Sequence, residues 1–156
     1  MRRSDREIKD KVEILEVIKK CEVCHVSFFG EEYPYVVAMN FGVIEDEDTV
    51  RLYFHSAKEG TKLNLLRKNP KVGFAMDCGH HLLFREDGSC TMEYESVCGN
   101  GIIRIVEEKE KLSGLTAIMN QYHEPKEYEF PEKVMEMTEV LELTVKELTG
   151  KRLKKK

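Results

Sequence analysis

The chain has 156 residues, of which 41% are hydrophobic and 35% charged, which is typical of one globular domain and excludes a disordered chain. Its net charge of −4 argues against general nucleic-acid binding, and no apolar run approaches the roughly 20 residues that span a membrane. The basic start lacks the apolar stretch of a signal peptide, so we expect the five cysteines as reduced thiols in a cytoplasmic protein.

A helix and two strands are predicted first. Ser4 and Glu7 have the spacing of a capping box, and the apolar residues that follow recur at helical spacing, which predicts a helix over 5–20. After this helix the chain is rich in Val, Phe and Tyr, which favour strands. We expect two strands there, with a turn at 30–32.

A third strand and a second helix are predicted next. The acidic run 45–48 indicates a turn, and 50–55 has the composition of a strand. Ser56 and Glu59 form a second capping box. This spacing predicts a short helix that opens there and ends at 69–70, an Asn-Pro pair.

The middle of the chain predicts further strands. Residues 72–76 indicate a fourth strand, and 77–89, which contains two glycines, indicates an irregular loop. Residues 92–98 and 102–106 have strand composition, either as two strands or as one long strand bent at its glycines.

The last third predicts two helices and a strand. Apolar residues at helical spacing indicate a helix over 108–123, and a short helix begins near Pro131. The run 140–145 predicts a final strand buried on both faces. The whole chain is expected to form one mainly β domain, an antiparallel sheet or barrel with peripheral helices, frayed at 1–4 and 152–156.

The segment 52–63 suggests a phosphate site. A strand leads into a capped helix start, where free amides and the helix dipole favour an anion. Ser56 adds a hydroxyl, Gly60 permits close approach of the backbone, and Lys62 adds a positive charge. The alternative is an ordinary capped helix with a solvated lysine.

Five residues suggest a metal or haem site. Cys21, Cys24 and His25 match the attachment pattern of c-type haem, although that attachment follows export. Together with Cys78 and His80 the two cysteines also suggest a zinc site, but the second pair has unusual spacing. The interpretation we favour is no metal, with small, half-buried strand cysteines.

The C-terminal segment is basic. Lys151 and Arg152 belong to a run that we interpret as a solvated tail, with a phosphate contact as the alternative.

The sequence resembles the pyridoxamine-phosphate-oxidase-like flavin-binding split barrels, and within them the nitroimidazole-resistance (Nim) type. The resemblance is carried, in chain order, by 37–42, by 52–57 with Gly60 and 62–63, by 69–72, and by 94–97 with Gly99 and Gly101. It implies a six-stranded antiparallel Greek-key split β-barrel and a homodimer that holds two FMN molecules at its subunit interface.

The resemblance also implies three groups of cofactor-binding residues. The flavin ring is lined by Val36, Val37, Ala38, Met39 and Asn40. The phosphate and ribityl chain are held by His55, Ser56, Ala57, Gly60, Lys62 and Leu63, with Lys151 and Arg152 as second candidates. The ring site is closed by Tyr94, Glu95, Ser96 and Val97. His55 is expected near the flavin as a modulator, and no catalytic side chain is assigned.

Three functions are consistent with this resemblance. The first is an FMN-dependent oxidoreductase that reduces a small electron acceptor, for which a nitroaromatic compound is a candidate. The second is a flavin carrier or redox sensor without dedicated turnover, and a third, weaker one is a haem-binding split barrel. Vitamin B6 oxidation is disfavoured because the chain has no Trp and lacks the Arg-x-His element of those enzymes. We expect no nucleic-acid or membrane partner.

Overall fold

The computed structural model describes residues 3–46 and 49–153. The strands are β1 (Glu7–Ile8), β2 (Cys24–Phe28), β3 (Tyr35–Met39), β4 (Gly42–Asp46), β5 (Thr49–Ala57), β6 (Lys71–Phe84), β7 (Cys90–Ile105) and β8 (Thr138–Leu153). The helices are α1 (Lys11–Lys20), α2 (Thr61–Lys68), α3 (Lys111–Tyr122) and α4 (Glu132–Met137), with 3₁₀ turns at Ser4–Arg6 and Glu108–Glu110. None of the described helices has the length and apolar character that a membrane span needs.

The strands form one antiparallel sheet, ordered β3, β2, β6, β7, β8, β5, β4, with β1 added to β8. Only Asn40 and Phe41 separate β3 from β4, and the two strands lie at opposite ends of this order. They are therefore two halves of one bent strand, and the sheet closes into a barrel that is split between them. The expected split barrel is confirmed. The six expected strands become eight in the described chain, because the bend divides one strand and β1 is added.

The barrel interior is apolar. Side chains from most strands are fully or almost fully buried there: Val26, Phe28, Phe41, Leu52, Phe54, Met76, Val97, Leu141 and Leu143. Each such side chain contributes about 1.5–3 kcal/mol through the hydrophobic effect. Ile18 of α1 and Leu63 of α2 are completely buried in the same cluster, so these helices close the barrel. Helix α3 packs outside, and a Cβ on Gly42 would lie 2.3 Å from the backbone of Ala117.

Three predicted boundaries are wrong. The first helix begins at Lys11 rather than residue 5, because Asp10 accepts a hydrogen bond from the Val12 amide while Glu7–Ile8 pairs with β8. The second helix begins at Thr61 rather than at the capping box, because β5 pairs with β8 as far as Ala57.

The third wrong boundary is the loop over 77–89. Strand β6 continues to Phe84 and stays paired with β7 beyond Tyr94, the last residue of β7 that pairs with β8. A register shift between Cys78 and His81 accommodates one extra residue, so glycine at this position marks a bulge rather than a loop.

Other predictions are confirmed. Strands β2 and β3 form the expected hairpin, and β7 is one long strand with a register shift between Asn100 and Gly101. Helices α3 and α4 lie where they were predicted, and 140–143 of β8 is buried on both faces. Part of the predicted acidic turn, Glu47 and Asp48, lies outside the described residues.

Candidate functional site

The first turn of α2 lacks an anionic partner among the described residues. Gly60 is the N-cap, and no side chain caps the helix. The Gly60 carbonyl accepts hydrogen bonds from the amides of Leu63 (3.1 Å) and Asn64 (3.2 Å). The first turn contains no acidic residue, yet it contains Lys62. A cation at the positive end of a helix is unfavourable unless an anion lies beside it, so this turn fits a phosphate group.

The backbone at Gly60 is open to a ligand. Gly60 has φ 140° and ψ 167°, a conformation that only glycine adopts readily. A Cβ at this position would meet no described atom within 4 Å. A bound group can therefore approach the backbone closely, which is what a phosphate held by amides requires.

The barrel is split where β3 and β5 part, just before this turn in the chain. The ladder between β4 and β5 ends at Gly42 and Tyr53, and its register continued by two residues would pair Asn40 with His55. Instead, β3 turns away and pairs with β2 alone. We call the resulting gap between Asn40 and His55 the slot.

Helix α2 runs from the slot towards the start of β3. Lys68 in its last turn forms an ion pair of 2.7 Å with Glu31, which precedes β3. Its first turn follows β5 by only a few residues. The Gly60 end of α2 therefore lies next to the end of β5, the strand that carries His55.

The residues predicted to line a ring divide into two sets. Val36 (58% exposed), Ala38 and Asn40 are exposed, whereas Met39 is buried and Val37 partly buried in the core. β3 is an edge strand of the sheet, so its outer edge offers backbone amides and carbonyls as well. The exposed residues could contact a ligand through their side chains, whereas Val37 and Met39 could contact it only through their backbone.

The residues predicted to hold the phosphate also divide. His55 and Ala57 are exposed on the outer side of β5, beside the slot. Ser56 is buried and its hydroxyl donates to the Ala57 carbonyl at 2.9 Å, so it does not face outward as expected. Leu63 is fully buried and supports α2 from within.

The third predicted group lies elsewhere in the same chain. β7 is separated from β3 by β2 and β6. Glu95 is 4% exposed and accepts hydrogen bonds from Arg152 Nε (2.6 Å) and Lys20 Nζ (3.2 Å), and Val97 is completely buried. Of this group, Ser96 and the half-buried Tyr94 retain some exposure.

Lys151 and Arg152 are part of β8 instead of a solvated tail. Lys151 pairs in register with both Glu7 of β1 and Ser96 of β7. The Arg152 guanidinium also binds Glu13 at 2.5 Å, in addition to Glu95. Arg152 is thus fully engaged in holding α1 to the sheet. The rest of the basic run, 154–156, lies outside the described residues.

The two cysteines of the first motif are buried in the described chain. Cys21 and Cys24 are 2% and 0% exposed, and burial raises the pKa of Cys24 to about 12, which disfavours the thiolate that a metal requires. His80 lies 3.0 Å from Asp77. Within 3–46 and 49–153, no three His, Cys, Asp or Glu side chains are grouped as ligands.

Comparison with known proteins finds a matching family model and similar solved structures. Residues 10–152 match the sequence model of the family described as pyridoxamine 5′-phosphate oxidase. A candidate 5-nitroimidazole antibiotic resistance protein from Bacteroides thetaiotaomicron is 31% identical, with a TM-score of 0.80 over 93% of this chain and 85% of that chain.

Two other solved structures share the fold. The flavocytochrome Anf3 from Azotobacter vinelandii is 18% identical, with a TM-score of 0.80 over 99% of this chain and 72% of that chain. A candidate pyridoxamine 5′-phosphate oxidase from Listeria innocua is 17% identical, with a TM-score of 0.56 over 88% and 94%. None of the curated proteins matches this chain.

Proposed function

This chain belongs to the pyridoxamine 5′-phosphate oxidase family, and we propose that it binds FMN and uses it to reduce a small electron acceptor, with nitroaromatic compounds as the first candidates. The observation that carries the proposal is the first turn of α2, where uncapped amides, an open Gly60 and Lys62 meet without an anion. The 31% identity to a candidate nitroimidazole resistance protein supports the choice of acceptor.

The residues of the slot fit FMN. The phosphate would be held by Lys62 and the first amides of α2, and a flavin phosphate, nearly a dianion, needs several such donors. The ring would lie in the slot against the outer edge of β3, beside His55. Bound FMN would supply the redox chemistry, while the protein supplies binding, orientation and electrostatics. No proton transfer by a side chain is required, so His55 remains a candidate modulator.

The proposed site is shared between two copies of the chain. Within one copy, β2 and β6 separate the third predicted group, on β7, from β3. A homodimer with the flavin at its interface would bring this group to the slot of the other copy. Location in the cytoplasm stays a prediction.

An absorption spectrum of the purified protein tests the cofactor. Flavin gives two bands in the blue and near-ultraviolet, and release of FMN on denaturation would identify it. A Soret band without flavin would contradict the proposal and favour haem.

A turnover assay distinguishes an enzyme from a carrier or redox sensor. NADH or NADPH should reduce the bound flavin, and a nitroaromatic compound should reoxidise it under anaerobic conditions. Tight retention of FMN with neither reaction would favour the carrier or sensor.

A further inference from the structure

The backbone between β3 and β4 bends at Asn40 and Phe41, and this bend borders the slot. The Phe41 side chain is completely buried in the core. The ladder between β4 and β5 ends at Gly42, so β5 does not pair with Phe41. The amide of Phe41 therefore needs another acceptor, because a buried donor without a partner is costly.

The acceptor is the hydroxyl of Tyr122, the last residue of α3. Tyr122 Oη accepts a hydrogen bond from the Phe41 amide at 3.0 Å and donates one to the Glu22 carbonyl at 2.6 Å. The β2–β3 ladder, continued by two residues beyond its last pair, would place Glu22 opposite Phe41. One hydroxyl, as donor and acceptor at once, thus bridges two opposite backbone groups. We call these two hydrogen bonds the Tyr122 bridge.

Asn40 binds the same carbonyl as the Tyr122 bridge. Its Nδ2 donates to the Glu22 carbonyl at 3.3 Å, so the side chain of Asn40 and the backbone of Phe41 are both tied to Glu22. Asn40 is exposed and forms one side of the slot. The position of the Glu22 carbonyl therefore determines how Asn40 is presented to a ligand in the slot.

The end of α3 that carries Tyr122 is fixed from two sides. The side-chain amide of Gln121, the preceding residue, donates hydrogen bonds of 3.0–3.2 Å to three carbonyls at the end of α1: those of Ile18, Lys19 and Cys21. One turn earlier in α3, the backbone of Ala117 packs so closely on Gly42 that a Cβ there would lie 2.3 Å away. Because α3 is held against both α1 and β4, the Tyr122 hydroxyl has a defined position at the bend.

We propose that Tyr122 is a positioning residue of the flavin site: its hydroxyl holds the bend between β3 and β4 and thereby keeps Asn40 in place beside the ring of a bound flavin. Tyr122 acts through Glu22 and Asn40 and needs no contact with the ligand. The inference rests on the proposed function for the occupant of the slot. It concerns the ring, whereas the contact proposed for Lys62 concerns the phosphate.

This role predicts a loss of affinity that FMN and riboflavin share. Tyr122 is 43% exposed, so Tyr122→Phe should leave the core intact and remove only the hydroxyl. The affinities for FMN and for riboflavin should both fall by roughly two- to tenfold, the net contribution of one hydrogen bond. Lys62→Ala, by contrast, should weaken FMN alone. Fluorescence titration with both ligands distinguishes the two patterns.

The matched control is Tyr128→Phe. The Tyr128 hydroxyl also donates to a backbone carbonyl, that of Glu124 at 3.3 Å, but it lies in the loop between α3 and α4. This variant should keep both affinities near the wild-type values. Equal losses in Tyr122→Phe and Tyr128→Phe would overturn the positioning role.

A double variant tests whether Tyr122 acts through Asn40. Both residues would then support the same contribution to riboflavin binding, so Tyr122→Phe combined with Asn40→Ala should lose no more affinity than Asn40→Ala alone. A merely structural effect of Tyr122 would instead add to that of Asn40. Additive losses would therefore overturn the proposal.

A further measurement needs no flavin. Hydrogen exchange of the Phe41 amide, followed by NMR in the flavin-free protein, should be roughly tenfold faster in Tyr122→Phe because the amide loses its acceptor. Exchange of the Leu141 amide, in the buried part of β8, reports global unfolding and should rise less. Unchanged exchange at Phe41, or an equal rise at both amides, would overturn the proposal. If Phe41 responds as expected but the wild type binds neither flavin, the proposed function fails and the Tyr122 bridge is supported only as a support of the bend.

Discussion

Lys62 stands in the first turn of α2, where its charge is unfavourable without an anion. We expect Lys62→Ala to weaken FMN binding by roughly ten- to a hundredfold, since a hydrogen bond to a charged group contributes ~1.5–3 kcal/mol. Riboflavin lacks the phosphate, so its affinity should hardly change. Fluorescence titration with both ligands makes this measurement.

The control for Lys62 is Lys68→Ala at the other end of the same helix. Lys68 forms an exposed ion pair with Glu31, which contributes little. Equal loss of riboflavin and FMN affinity in Lys62→Ala would show a structural defect instead of a phosphate contact.

Cys21 and Cys24 differ from reactive cysteines in their burial. Desolvation raises the pKa of both thiols, so little thiolate exists at neutral pH. We expect both to remain unlabelled when the folded protein meets iodoacetamide at pH 8, and to be labelled in urea. Mass spectrometry of the peptides decides this, with glutathione as the reference thiol. Labelling of the folded protein at the rate of glutathione would contradict the burial argument.

At the scale of single elements, the start of α2 depends on the backbone of Gly60. Gly60→Ala should cost about 1–3 kcal/mol of stability, because its φ of 140° is strained for any other residue. It should also weaken FMN binding, since the amides would no longer be aligned. Urea unfolding and FMN titration measure the two effects.

A matched control is Gly88→Ala, in the turn between β6 and β7. Gly88 has φ 80° and likewise no atom within 4 Å of an added Cβ, so it should lose comparable stability. FMN affinity should stay near the wild-type value. If both variants lose FMN alike, the effect of Gly60 is one of general stability.

The ion pairs of Arg104 stabilise the segment that leads into α3. Arg104 donates to Glu110 at 2.9 and 2.7 Å and to Glu142 at 3.0 Å. The hydrogen bond from Arg104 lowers the pKa of Glu110 from 4.5 to about 2. Because the folded state favours the carboxylate, this contribution is present above about pH 4.5 and is lost as the pH falls towards 2.

Glu110→Gln should therefore be less stable than wild type at pH 6, with a difference that shrinks as the pH falls to 3. Urea unfolding at each pH measures the free energies. Glu136→Gln, an exposed change in α4, is the control. A difference that stayed constant with pH would mean that the Glu110 carboxylate does not contribute through its charge.

At the scale of the whole molecule, the prediction is a dimer. The proposed site is shared between two copies, so light scattering should give twice the 18.2 kDa of the chain. FMN-bound protein with the mass of one chain would refute the shared site.

The sequence by itself determined the secondary structure content and the approximate place of the proposed phosphate site. Runs rich in strand-forming residues such as Val, Phe and Tyr predicted the strands, and Gly60 and Lys62 were named from local chemistry alone. The boundaries of α1 and α2 were wrong because capping-box spacing at Ser4 and Ser56 competes with strand pairing to β8. Such pairing joins residues far apart in sequence, which local patterns do not encode.

Only the tertiary structure decided which of the predicted side chains are exposed and could face a ligand. Ser56, Met39 and Glu95 matched the family pattern, but the register of their strands turns their side chains inward. The slot and the long β6–β7 hairpin were not predicted either, since both arise where paired strands part or continue beyond their neighbours. Strand alternation in a sequence gives two faces, and the choice between them depends on which strands pair and where each ladder ends.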